Sequence, residues 1–178
     1  MRILVPLLST LLAAGLFPGC KRQVESPPEV VAAPPGAVRV VSWNLEWFPG
    51  HSPHPAPGEA ARHLDDVLEA MKRLQPDVLL LQEVSEGPAL EALVAGLPGF
   101  RLHTVSGFGG LRRLAIAGRL PAESAWSEGW KKDGTDDPPR GFAYAGLRLV
   151  DGRLLMTYTV HLKSNSDEGR AGEVLKAG

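Results

Sequence analysis

The sequence predicts an α/β fold, and three stretches of it carry that prediction. An alternating segment from Val38 to Leu45, an amphipathic segment from Glu59 to Leu74 and the apolar run from Val78 to Leu81 follow in the order strand, helix, strand. That order is the signature of a parallel crossover. The run 78–81 is of strand length and hydrophobic on both faces, so it forms a central buried strand. Beyond Phe100 the apolar stretches are short and separated by Gly or Pro, which marks antiparallel strands.

Composition sets the outer bounds. With 178 residues, 44% of them hydrophobic and 22% charged, the chain has the balance of one globular domain. Lys and Arg number 19 against 20 Asp and Glu, so net charge neither favours nor excludes nucleic acid as a partner. Cys20 is the only cysteine, which excludes an intrachain disulfide and a thiolate metal cluster.

Taken in order, the chain opens with Arg2 and an apolar stretch over residues 3–17 that ends in Pro18-Gly19-Cys20. Its length is that of a secretory h-region. The segment resembles a bacterial lipoprotein signal, in which a cysteine after a small residue is lipidated and becomes the mature N-terminus. That resemblance implies a signal peptide over 1–20, lipidation at Cys20, and an exported protein that is either anchored to a membrane of the cell envelope or secreted. Residues 21–37 carry Pro27-Pro28 and Pro34-Pro35 without an apolar face, so they read as an extended tether. The folded domain then spans 38–178.

Within it, Val38 to Leu45 is the first strand, with Asn44 at its exit, and a proline-punctuated loop follows from Phe48 to Gly58. Helix 59–74 places Ala60, Ala61, Leu64, Val67, Leu68, Met71 and Leu74 in its apolar stripe and His63, Asp65, Asp66, Glu69, Lys72 and Arg73 mainly on its other side. Gln75-Pro76 stops it, and the central strand ends in Gln82-Glu83. A shorter helix is expected from Gly87 to Ala95, then strands over 100–105, 112–117 and 122–126. The charged loop 130–141 precedes two last strands, 142–149 and 154–162, joined through Asp151-Gly152. In the last strand Leu155, Thr157, Thr159 and His161 share one face, and Leu154, Met156, Tyr158, Val160 and Leu162 share the other.

Three strand ends carry the chemistry: Trp43-Asn44, Gln82-Glu83-Val84 and His161-Leu162-Lys163-Ser164. An amide oxygen and a carboxylate suit a hard cation such as Mg²⁺, which takes few protein ligands and keeps several waters. An imidazole beside them can donate to a phosphoryl oxygen or a leaving group.

From Val38 to Lys176, these signatures make the sequence resemble the endonuclease/exonuclease/phosphatase superfamily, the magnesium-dependent group with a deoxyribonuclease-I-like fold. The resemblance implies an α/β, four-layer αββα sandwich, present in part. About 140 residues follow the tether, short of the roughly 200–250 that such sandwiches commonly use, so the first sheet and its helices are expected. It further implies Mg²⁺ or Mn²⁺ as cofactor, Glu83 as metal ligand, Asn44 holding metal or water, His161 on the scissile phosphate, and Arg140 facing substrate phosphate. The substrate is then a phosphoester: nucleic acid, a phospholipid headgroup or a small phosphate ester. The family's later Gly-Asp-x-Asn and Ser-Asp-His motifs, which supply a further metal ligand and the water-activating base, do not occur. That sets a non-catalytic remnant or binding module beside the hydrolase reading. A lone first sheet also leaves its inner apolar face open, which favours self-association.

Overall fold

The computed structural model describes residues 34–85, 87–108, 112–130 and 141–162. Its first unit is the expected crossover: β1 (Val40–Phe48), α1 (Glu59–Leu74) and β2 (Val78–Val84), with β1 and β2 parallel and Val40 opposite Val78. Helix α2 (Pro88–Ala95) follows, with a proline in its first turn, where the missing N–H costs nothing. β3 (Arg101–Val105) and β4 (Arg113–Gly118) then add antiparallel strands, completing a four-stranded sheet in the order β1-β2-β4-β3. β2 is therefore central. Asp77 pins its start, accepting the Arg39 N–H at 2.8 Å and facing the Arg119 guanidinium at 3.8 Å.

Alternation along β2 sorts its side chains between two cores. Leu79 and Leu81 face the helices, packing with Val67, Met71, Leu90 and Leu93, while Val78 and Leu80 face the other way. One correction to the helix concerns His63. It is buried, in line with Val67 and Met71 at four-residue spacing, although its polarity assigned it to the solvent side. The ring packs edge-on against Phe48 at 5.3 Å, stacks on His51 at 4.1 Å, and its Nδ1 meets the Gly50 backbone, 2.5 Å from the carbonyl oxygen and 2.9 Å from the nitrogen. An amphipathic ring can satisfy one nitrogen locally and bury the rest.

The sandwich class stands, and it is fuller than the single sheet expected. β5 (Ala122–Gly129), β6 (Gly141–Arg148) and β7 (Leu154–Val160) leave the first sheet and form a second, antiparallel one in the order β5-β6-β7. Its inner face supplies Ala143, Ala145 and Leu147, which pack on Val78, Leu114 and Ile116 of the first sheet. The two alanines are small enough for the sheets to approach, and the contact removes the inner apolar face from water. The open inner face expected of a lone sheet is therefore absent among the described residues.

A different apolar surface is exposed. On β7 and just beyond it, Leu154, Met156, Tyr158, Val160 and Leu162 are 43–65% exposed, while Thr157 and Thr159 are buried. Aromatic rings continue this outer face across the sheet: Trp126 lies 4.1 Å from Tyr144, Tyr144 4.8 Å from Tyr158, and Phe142 5.7 Å from Tyr158. Cross-strand aromatic pairs of this kind hold register in an antiparallel sheet. Among the described residues no helix is long and apolar enough to cross a membrane.

Burial holds two histidines below their ordinary pKa of 6.5. For His63 desolvation outweighs its contact with the Gly50 backbone; for His103, whose Nε2 is buried without a partner among the described residues, desolvation is reinforced by Arg101. Both are folded as neutral rings. The unfolded chain takes up their protons first, so stability is full above about pH 6.5 and falls as pH is lowered towards the depressed folded values. Urea unfolding between pH 7.5 and 5 should show that decline, and His63→Gln should flatten part of it.

Candidate functional site

Two backbone irregularities at the same end of the first sheet build the site. The β1–β2 ladder runs regularly through Ser42 opposite Leu80 and Asn44 opposite Gln82, then resumes at Phe48 opposite Val84. Between these pairs β1 inserts Leu45, Glu46 and Trp47 against Glu83 alone. Glu46, Trp47 and Glu83 all take left-handed backbone conformations, with φ of 48°, 63° and 57°. Side-chain-bearing residues enter that region at about 1–3 kcal/mol each, and such costs persist where surrounding structure holds them.

The effect at β2 is to change which way Glu83 points. In regular alternation Gln82 follows Val78 and Leu80 towards the second sheet, and Glu83 would face the helices. The bulge also interrupts pairing with β4, where Gln82 lies opposite Leu114 and Val84 opposite Arg113. A bulge of this kind re-aims a side chain. Both residues consequently reach the same neighbouring segment: the Gln82 amide donates to Thr159 Oγ1 at 2.7 Å, and the Glu83 carboxylate lies 3.3 Å from His161 Nε2.

Sequence reasoning missed the part played by Gln82 and Thr159. Gln82 is buried, and its amide nitrogen, with two protons to give, has three acceptors within reach: Thr159 Oγ1 at 2.7 Å, the Leu80 carbonyl at 3.0 Å and the Ser42 hydroxyl at 3.2 Å. It is a strut between the sheets, directly beneath the carboxylate–imidazole pair. The readable signal was the polar row Thr157, Thr159, His161, which a strand buries only when it has polar partners. Above the strut, the side chains of Glu83 and His161 are 12% and 21% exposed, so the pair opens to solvent at one side.

The other expected residues fall differently. Asn44 is next to Gln82 in register but exposed, and its Oδ1 accepts the Glu46 N–H at 3.0 Å, turning it towards the β1 irregularity. Arg140 and Cys20 lie outside the described residues. As donors for a hard cation, the Glu83 carboxylate and the Asn44 amide oxygen have the right chemistry, because a carbonyl-type oxygen retains a second lone pair after one hydrogen bond. Among the described residues no group of three or more His, Cys, Asp or Glu side chains is assembled as a metal cage.

Two stacked sheets, with a carboxylate and an imidazole meeting at their shared end, define a two-sheet α/β sandwich. Residues 41–177 match the model of the Endonuclease/Exonuclease/phosphatase family, and the chain belongs to that family. No curated protein matches the sequence. Solved structures share the fold at low identity. A humanized D. rerio TDP2 carrying 14 mutations is 17% identical, with TM-score 0.52 over 79% of this chain and 54% of that one. TDP2 from C. elegans is 18% identical, with TM-score 0.56 over 79% and 41%. An endonuclease/exonuclease/phosphatase family protein from Leptotrichia buccalis C-1013-b is 13% identical, with TM-score 0.54 over 80% and 62%. The chain thus spans 41–62% of the length of these relatives.

The strut makes a stability prediction. Thr159→Val removes the best acceptor of a buried amide and should cost about 1–3 kcal/mol in urea unfolding. Thr159→Ser, which keeps the oxygen, should restore most of it. Equal stability of the valine and serine variants would show that the bond is not formed.

Proposed function

We propose that this chain is part of an exported, Mg²⁺- or Mn²⁺-dependent phosphoester hydrolase. The observation that carries the reading is the Glu83–His161 pair, 3.3 Å apart, aimed by a left-handed bulge in a chain of this family. Nuclease and phosphatase, the activities in the family's name, both break phosphoester bonds. In this reading Glu83 and Asn44 hold the cation. When bound, it withdraws charge from a phosphoryl oxygen and lowers the pKa of its water.

The chain's own groups do the remaining work. His161 stands beside Glu83 on the strut that Gln82 and Thr159 make, so it can give a proton or hydrogen bond to a phosphoryl or leaving-group oxygen. Arg140 would meet substrate phosphate through its planar fork of donors. The substrate is a nucleic acid, a phospholipid headgroup or a small phosphate ester. With two oxygen ligands, the cation should bind weakly and largely through water.

A metal-binding measurement separates this reading from a remnant that keeps the residues without their chemistry. Millimolar Mn²⁺ should broaden backbone resonances around Glu83 and Asn44, and Glu83→Gln should abolish the effect. Cleavage of a generic phosphodiester, measured with a homologous C-terminal half supplied in trans, should fall about 10²–10⁴-fold in His161→Ala. Turnover that survives Glu83→Gln would refute the assignment.

Export and anchoring rest on residues 3–20. Mass spectrometry of the membrane fraction should find a diacylated Cys20 at the mature N-terminus, and Cys20→Ser should abolish that species. An intact Met1 on protein recovered from the cytoplasm would contradict it.

A further inference from the structure

The end of the sandwich away from Glu83 and His161 has a character of its own. β7 runs from Leu154 at that end towards His161, about 24 Å at the strand rise. There the first sheet begins: Val40 pairs with Val78 at the start of β1 and β2, and Arg101 pairs with Gly118 where β3 starts and β4 stops. The Arg39 guanidinium donates to the Leu74 carbonyl at 2.7 Å, which brings the last turn of α1 to the same place. The β6–β7 turn joins them, because the Arg148 N–H donates at 2.9 Å to the carbonyl of Pro121, between β4 and β5.

This end carries an excess of cations. Asp77, Glu123 and Asp151 are the carboxylates at these strand ends and turns among the described residues, and each faces an arginine: Arg119, Arg148 and Arg153 in turn. Lys72, Arg73 and Arg101 remain, all exposed and without a carboxylate in ion-pair distance among the described residues. Glu69, one turn earlier on α1, offsets one of them at most.

An apolar tip stands among these charges. The Gly152 N–H donates to the Leu149 carbonyl at 3.0 Å and the Leu149 N–H to the Arg153 carbonyl at 2.8 Å, closing a tight turn from which Val150 projects, 104% exposed. Turns favour polar residues and glycine, which Asp151 and Gly152 supply, so the bare valine is the exception. An apolar side chain flanked by cations suits a bilayer surface, where acyl chains and anionic phosphates lie side by side. The chain also enters the domain here. Val38 packs in the cluster of Val78 and Leu147, so residues 21–37, at most about 60 Å long when fully extended, arrive beside the Val150 turn.

We propose that this end is a docking surface for an anionic lipid bilayer, with Val150 entering the headgroup boundary and Lys72, Arg73 and Arg101 meeting lipid phosphates. The assignment rests on the reading of residues 3–20 as a membrane anchor. With the anchor in the same bilayer, docking is intramolecular and a few weak contacts suffice. Its consequence is an orientation. The Glu83–His161 end then stands about 24 Å from the surface, well beyond the Debye length of about 8 Å at physiological salt, and faces the aqueous compartment. In that state headgroups of the anchoring bilayer do not reach the pair, and the phosphoesters it meets are those in solution.

The lipidated full chain, reconstituted in vesicles, tests this through single cysteines introduced as Val150→Cys or Leu162→Cys and labelled with an environment-sensitive dye. Lipidation blocks the Cys20 thiol, so one dye per chain is expected. On phosphatidylcholine vesicles containing phosphatidylglycerol, the dye at position 150 should shift to the blue and lose the shift in high salt; on phosphatidylcholine alone it should stay in water. The dye at position 162, at the site end of the outer sheet face, should not shift. Lys72→Gln and Arg101→Gln should each lower the ratio of docked to undocked chain about fivefold. Shifts at both positions, which would lay the outer sheet face on the bilayer, would overturn the proposal, as would a shift at 150 indifferent to lipid charge and to both glutamine variants. Retention on heparin with no shift at 150 would assign the cations to another polyanion and overturn it as well. Two dyes per chain would instead remove the lipid-anchor reading, and the same comparison in Cys20→Ser chains then decides the docking surface by itself.

Discussion

A single backbone torsion at Glu83 brings the carboxylate and the imidazole of the candidate site together. In the regular pleat, adjacent residues on a strand point to opposite faces, and Gln82 and Glu83 would serve different cores. With φ at 57° in Glu83, both side chains instead reach β7 and its exit, one to Thr159 and one to His161. The conformation costs about 1–3 kcal/mol, and β2 can support it because the strand is central, paired through residues 78–82 on both sides before the break. Edge strands have no such reserve of pairing.

The second sheet converts that torsion into a pair. β7 is held against the first sheet by Ala143, Ala145 and Leu147 of its neighbour β6, and by the buried bond from Gln82. Apolar contact sets the distance between the sheets and the amide sets their register, since a hydrogen bond is directional and burial is not. Thr157 strengthens the same strand from inside, its hydroxyl donating to the Ala145 carbonyl at 2.8 Å. His161 follows at the next inward position, just beyond β7.

The cost of this arrangement appears on the outer surface of β7. Because its polar row turns inward to meet Gln82 and Glu83, the apolar row from Leu154 to Leu162 turns outward. An exposed row of this length is unusual on a lone monomer. The solved relatives extend well beyond the portion this chain matches, which covers 41–62% of their length.

Much of this was legible in the residues themselves. The 3.6-residue period of 59–74, the two-sided apolar run 78–81, the Asp151-Gly152 turn and the period-2 pattern of 154–161 predict elements that the structure contains, because each reports local burial through spacing alone. The three signatures at Trp43-Asn44, Gln82-Glu83-Val84 and His161-Leu162-Lys163-Ser164, taken together, pointed to the family that the match over residues 41–177 shows. Several features depended instead on contacts between residues far apart in the chain. His63 lies inward because Phe48, Gly50 and His51 surround it. The second sheet exists because β5 pairs with β6 rather than continuing from β4. Arg112 lies over the Trp47 ring because β1 and β4 flank β2. Sequence by itself determined the elements, the family and the residue types at the strand exits. Tertiary structure alone decided which way those residues face, because a left-handed residue within a strand is sustained by neighbouring strands and leaves no periodic mark in the chain.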